Sequence, residues 1–241
     1  FKYERIKRIM AYTTVNKSTD YQNNVLYTGN GSARTITGVG FQPDFVWVKD
    51  RSATNSHYLY DAVRGNNLNL FSNDSAAEIN VTTGQNGGGI GSQASDGFNI
   101  VAGNVNTNNV NTNSNNYASW NWKANGAGSA NTDGSINSTV SVNTTAGFSI
   151  VKFTGTGANA TVGHGLGVAP SFYVVKRIDG GDGGQWNCYH KSLGATDYLI
   201  LNSTADKASS STRWNNTAPT SSVFTVGTSG DVNDSGDTHI A

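Results

Sequence analysis

Cleaving a glycosidic bond takes two carboxylates facing one sugar linkage, and this chain holds only two glutamates, Glu4 and Glu78. Asp44, Asp61 and Asp96 are the further candidates in its N-terminal half. No Gly-x-Ser-x-Gly elbow, phosphate-binding Gly-Lys-Ser/Thr loop or His-Glu-x-x-His pair occurs. No catalytic or cofactor-binding residue is therefore assigned, and no cofactor is expected. Gly163-His-Gly-Leu-Gly167 is glycine-rich, but a phosphate cradle needs a strand before it and a helix after, so it reads as a turn. Asp231-Val-Asn-Asp-Ser-Gly-Asp237 has the alternating oxygen ligands that open a calcium loop, and also the composition of a plain turn. No metal site is assigned to it. Trp120, Trp122, Trp186 and Trp214 have the flat apolar faces that stack on sugar rings, whereas Trp47 lies in an apolar run and reads as core. The ligand-binding residues stay open. The single cysteine, Cys188, excludes an intramolecular disulfide and a cysteine-cluster zinc site.

The elements that must position these residues are strands. Phe45-Val-Trp-Val, Phe148-Ser-Ile-Val-Lys-Phe and Phe172-Tyr-Val-Val-Lys are β-rich runs, separated by glycine-rich punctuation. Only Phe1–Met10 and Tyr58–Arg64 have the makings of a few helical turns. These runs belong to a tandem repeat of about 125 residues. Tyr27-Thr-Gly-Asn-Gly31 returns as Phe153-Thr-Gly-Thr-Gly157, and Gly38-Val-Gly-Phe-Gln-Pro43 as Gly165-Leu-Gly-Val-Ala-Pro170. Phe45-Val-Trp-Val-Lys49 matches Phe172-Tyr-Val-Val-Lys176, and Leu70-Phe-Ser-Asn matches Leu199-Ile-Leu-Asn. Val110-Asn111 answers Val232-Asn233, and Tyr117-Ala-Ser119 answers His239-Ile-Ala241. Asp44 falls opposite Ser171, and Asp61 opposite His190. Carboxylates that the second copy replaces while keeping the frame read as turn or surface residues.

The expected fold is all-β, two tandem sandwiches of jelly-roll or lectin-like form. Residues 1–19 are an N-terminal extension, 20–122 the first sandwich and 123–147 a Gly/Ser/Asn/Thr-rich linker. Residues 148–241 form the second sandwich, which stops before a counterpart of Trp120-Asn-Trp122, so a continuing polypeptide is expected. Asn104–Asn116 is either a polar loop or a hairpin. Among 241 residues only 13% are charged, and sixteen basic side chains balance sixteen acidic ones. That balance excludes electrostatic binding to nucleic acid or a membrane surface, and no apolar run reaches the roughly 18 residues of a membrane helix.

Tyr27-Thr-Gly-Asn-Gly, Gly40-Phe-Gln-Pro-Asp-Phe-Val-Trp-Val-Lys49, Asp61-Ala-Val-Arg-Gly65, Asp96-Gly-Phe98 and the Tyr117-Ala-Ser-Trp-Asn-Trp122 ending resemble a family of phage structural proteins. Its members come from viruses of marine bacteria and are usually labelled tail fibre or virion protein. The resemblance runs from Met10 onward and implies a particle-surface protein, a fibre or head decoration, that binds and assembles without catalysis. It implies other virion proteins as partners and a homo-oligomer, with a trimer as the fibre-like form. A lectin-like adhesin for host cell-surface glycan is the alternative, and a polysaccharide depolymerase the third reading.

Overall fold

In the computed structural model, residues 15–82, 88–102, 110–179 and 184–241 are described. Among these residues the first copy of the repeat forms nine strands: β1 (Gln22–Thr28), β2 (Arg34–Thr37), β3 (Phe45–Asp50), β4 (Tyr58–Asp61), β5 (Leu68–Phe71), β6 (Ile79–Asn80), β7 (Gly89–Ala94), β8 (Gly97–Val101) and β9 (Asn116–Trp122). The second supplies β10 (Ser129–Asn131), β11 (Ser138–Asn143), β12 (Phe148–Thr154), β13 (Ala160–Gly163), β14 (Phe172–Arg177), β15 (Asn187–His190), β16 (Asp197–Ile200), β17 (Ala208–Ser209), β18 (Val223–Val226) and β19 (Thr238–Ile240). Two single-turn helices, α1 (Ser211–Trp214) and α2 (Gly230–Asn233), complete it.

Each copy is a large sheet backed by a small one. In the first, a six-stranded sheet ordered β1-β9-β3-β4-β5-β6 faces the three-stranded β2-β8-β7. In the second, an eight-stranded sheet ordered β10-β11-β12-β19-β14-β15-β16-β17 faces the pair β13-β18. Val46, Val48, Tyr58, Tyr60 and Tyr117 meet Ile36, Ile90 and Phe98 in one core, and Phe153, Tyr173, Val175 and Tyr189 meet Val162, Phe224 and Trp214 in the other. The chain is all-β, built as two sandwiches.

A third core joins them. Leu59, Leu70 and the half-buried Phe45 and Trp47 pack on Ile150, Val174, Trp186 and Ile240. Successive strand residues point to opposite faces, so each large sheet has a second face, and part of it is covered by the other large sheet. Polar bonds cross the same seam. Lys176 Nζ donates to Ser75 O (2.9 Å), Trp186 Nε1 to Phe71 O (2.9 Å), Lys152 Nζ to Val63 O (3.2 Å), and Glu78 N to Ile178 O (2.8 Å). Burial holds the Lys176 ammonium down to about 8.

The repeat is spelled out in hydrogen bonds. Asn111 is fully buried; its Oδ1 accepts from Asn30 N (3.1 Å), its carbonyl from Gly31 N (2.8 Å), and its Nδ2 donates to Ser32 O (2.6 Å). Asn233 does the same for Thr156 N (2.8 Å), Gly157 N (2.8 Å) and Ala158 O (2.6 Å). The glycine opening each turn has no room for a side chain: a Cβ on Gly29 would lie 2.0 Å from Thr112 O, and one on Gly155 2.1 Å from Asp234 O. Beside them Tyr27 stacks on Tyr117 at 5.0 Å and Phe153 on His239 at 5.2 Å. Tyr117 OH accepts from Thr112 N (2.9 Å) and His239 Nε2 from Asp234 N (3.3 Å), so His239 takes the place of a tyrosine.

Two expectations fail. The segment 123–147 has a linker's composition but carries β10 and β11. Val140 is buried and Ser138 and Ser141 are also buried, and β11 pairs along its whole length with β12. The threonine and valines of β11 favour strands, and β12 takes the backbone groups of the serines. Tyr58–Arg64 is not helical: β4 occupies Tyr58–Asp61, buried on both faces, and a turn follows in which Asp61 Oδ1 accepts from Val63 N (3.1 Å) and Arg64 N (2.8 Å). Phe1–Met10, Glu4 and residues 104–109 lie outside the described residues.

Candidate binding cleft

The carboxylates singled out above brace the frame. Asp61 is buried and paired with Arg64, whose Nη1 also reaches Glu78 at 3.3 Å. Asp44 Oδ2 accepts from Ala124 N (2.7 Å), tying the start of β3 to the residue beyond β9. Asp96 takes Gly38 N (3.1 Å) and Gly40 N (2.6 Å), and these two bonds hold its carboxyl below the usual range. Glu78 differs. Burial pushes its carboxyl up against the pull of Arg64, and it lines a polar hollow of about 510 Å³ with Arg64, Lys152 and Asp179. Asp179 Oδ1 accepts from Thr238 N (2.6 Å).

The calcium-like segment is also engaged. Asp231 pairs with Arg213 (2.9 Å), and Asp234 and Asp237 both pair with Arg177. Ser229 caps α2, its Oγ accepting from Asp231 N. Two guanidiniums stand where a cation would have to enter. In the Gly163–Gly167 stretch, His164 is buried; its Nδ1 accepts from Leu166 N (3.1 Å) and Nε2 faces Thr220 O (3.2 Å). That pattern puts the proton on Nε2 of a neutral ring, and burial keeps its pKa below the usual imidazole value.

The tryptophans sort differently from the sequence reading. Trp214 is completely buried and Trp186 nearly so, one in the core of the second copy and the other in the seam. Neither offers a face to a sugar. Trp47, expected in the core, is only half-buried, as are Trp120 and Trp122. Trp214 is covered within its own copy; for the others coverage depends on where one large sheet overhangs the other, and no single strand encodes that.

The register brings the exposed set together. Gln22 lies opposite Trp122, and Trp122 opposite Phe45; Asn24 lies opposite Trp120, and Trp120 opposite Trp47. Directly opposite residues share a face, so two rows run from an amide edge on β1, through the indoles of β9, to the aromatics of β3. Trp47 and Trp120 meet edge to face at 6.3 Å and 69°. Trp47 Nε1 donates to His57 Nδ1 (2.9 Å), which fixes the indole and leaves the imidazole proton on Nε2. Burial, then the charge of Lys49, hold the His57 pKa low.

Beyond His57 the surface opens into a hollow of about 330 Å³, floored by Trp47 and His57 and walled by Ser72 and Asn73 from one copy and Leu201–Thr204 from the other. These walls are equivalent turns of the repeat. Asn73 Oδ1 accepts from His57 N (2.9 Å) as Asn202 Oδ1 accepts from Trp186 N (3.1 Å). Trp47 and His57 also line a smaller hollow, of about 230 Å³, with Trp120 and Trp122. An apolar cleft of about 290 Å³ continues into the seam past Phe45, Phe148 and Trp186. The residues missed in the sequence are Gln22, Asn24, His57, Asn73 and Asn202. The first two sit at even positions of an edge strand across from tryptophans, a signal that needs the β1–β9 pairing to be seen.

No curated protein and no solved structure matches the chain. Residues 17–241, running through both copies of the repeat, match one family, and the chain belongs to it: the Domain of unknown function (DUF7483).

Proposed function

We propose that the chain is a virion structural protein, a surface fibre or capsid-decoration component that works by binding and assembly and without catalysis. Its partners on this reading are other virion proteins and further copies of itself. The observation that supports it most is the seam: two copies of one sandwich are locked back to back by a shared apolar core and by bonds from Lys176, Trp186 and Lys152. Such a block keeps its shape without disulfides and presents an exterior poor in charge. The engagement of Asp44, Asp61 and Asp96 in backbone bonds and ion pairs favours a structural use of the carboxylates. Mass spectrometry of density-purified particles of the virus that encodes the chain tests this. The tryptic peptide Ser52–Arg64 is expected among the particle proteins, and its confinement to host-cell fractions would overturn the proposal.

A second reading, a glycan-binding adhesin for host attachment, is favoured by the row of half-exposed indoles beside an amide edge. The two are compatible, since a surface component can carry the receptor site.

A further inference from the structure

We infer that the β1–β9–β3 face is a site for an uncharged glycan, with Trp120 and Trp122 stacking on pyranose rings and Gln22 and Asn24 bonding their hydroxyls. The inference rests on the reading that the chain works by binding. A pyranose has an apolar C–H face and a rim of hydroxyls that donate and accept. A matching surface needs a flat aromatic wall beside side chains offering both kinds of hydrogen bond. Here the wall and the edge are on adjacent strands, one pair per row: Gln22 with Trp122, and Asn24 with Trp120; Trp122 stacks one face on Phe148 at 6.2 Å and 22°, which leaves the opposite face for a sugar.

The edge is preset. Gln22 Nε2 donates to Asn24 Oδ1 at 2.6 Å, which orients both amides. An amide has one oxygen and two N–H donors, so Gln22 Oε1 and the Asn24 NH₂ point to partners outside this pair. An acceptor and a donor side by side suit two neighbouring hydroxyls. The corner between Trp47 and Trp120 is held by the Trp47–His57 bond, so the wall needs little ordering when a ligand arrives. The hollow past His57, about 330 Å³, is at the low end of the roughly 300–1,000 Å³ typical of small-ligand sites. It extends the track toward Asn73 and Thr204 and gives room for a second sugar.

The two charges that lie in the rows of this face favour an uncharged ligand. Lys49 shares this face, but its Nζ donates to Ala53 O (3.1 Å) and Asn55 O (2.7 Å). Asp61, at the far end of the Phe45 row, is bound to Arg64. Neither is turned to an incoming ion.

The test uses the whole chain with 15N-labelled tryptophan. An array of neutral and acidic oligosaccharides first selects ligands, and titration of the best neutral one is then followed at the five indole N–H signals. Saturable shifts are expected at Trp120, Trp122 and Trp47, with Trp186 and Trp214 unmoved. Trp120→Ala should weaken binding about tenfold or more. The double variant Gln22→Ala/Asn24→Ala, at side chains that belong to no core cluster, should weaken it similarly while the melting temperature stays put. Binding to no neutral glycan, binding to acidic glycans alone, or affinity unchanged in both variants would each overturn the inference. The outcome is separable from the virion reading, because particle proteomics answers that one whether or not a sugar binds.

Discussion

Replacing Trp186 with alanine tests whether the two sandwiches fold as one block. The side chain is 6% exposed, belongs to the second copy, and spends its indole N–H on Phe71 O and Asp74 O of the first. Truncating a buried tryptophan costs about 3–5 kcal/mol through lost burial and the cavity left behind. The two carbonyls lose their donor as well, so the upper half of that range is expected. For a chain of this size each kcal/mol moves the melting temperature by about 2–4 °C, which puts the drop at roughly 8–20 °C. Calorimetry and near-ultraviolet circular dichroism should report it as one transition shifted as a whole. Two separate transitions, or a single one displaced by less than about 2 °C, would refute the seam as the element that unites the copies.

Other perturbations probe the repeated turn and the buried titrating groups. Asn233→Ala should destabilise by about 2–4 kcal/mol in chemical denaturation, since it leaves Thr156 N, Ala158 O and Gly227 O without their partner; a loss below about 0.5 kcal/mol would contradict its role. Gly155→Ala should cost at least about 2 kcal/mol, because its Cβ meets backbone that must move, while alanine at the open Gly147 should cost less. His57, His164 and His239 are all held low by burial, so the unfolded chain takes up protons first as the pH falls through about 6.5. Stability should therefore be flat above that pH and decline below it, and melting temperatures that stay constant from about pH 8 to 5 would count against three neutral rings. Burial pushes the Cys188 thiol up to about 11, so it should resist alkylation in the native chain and react on unfolding.

Strand content and the repeat were legible because they live in local pattern. Phe45-Val-Trp-Val and Phe172-Tyr-Val-Val have the apolar density of strands buried on both faces, and they occupy equivalent places as β3 and β14. Tyr27-Thr-Gly-Asn-Gly31 and Val110-Asn111 also showed in the sequence, as two motifs that each recur in the second copy. What joins them, one asparagine holding each glycine turn, is a contact across 81 positions in the first copy and 77 in the second, which no window of sequence contains. The strands β10 and β11 were hidden because Ser-Thr-Val-Ser-Val-Asn differs little from a flexible connector until β12 pairs with it. The cleft was least legible. Trp214 closes the short helix α1 and is sealed within the second copy, while Trp47, Trp120 and Trp186 meet the seam, where the offset of the two large sheets decides which is sealed and which faces solvent.

The claim that this is a particle-surface protein is tested most directly by immunogold electron microscopy of intact, purified virus with antibodies raised against the folded chain. The account predicts gold on the outside of intact particles, at a fibre or on the head. Unlabelled particles, with the same antibodies recognising the chain in lysates of infected cells, would contradict it.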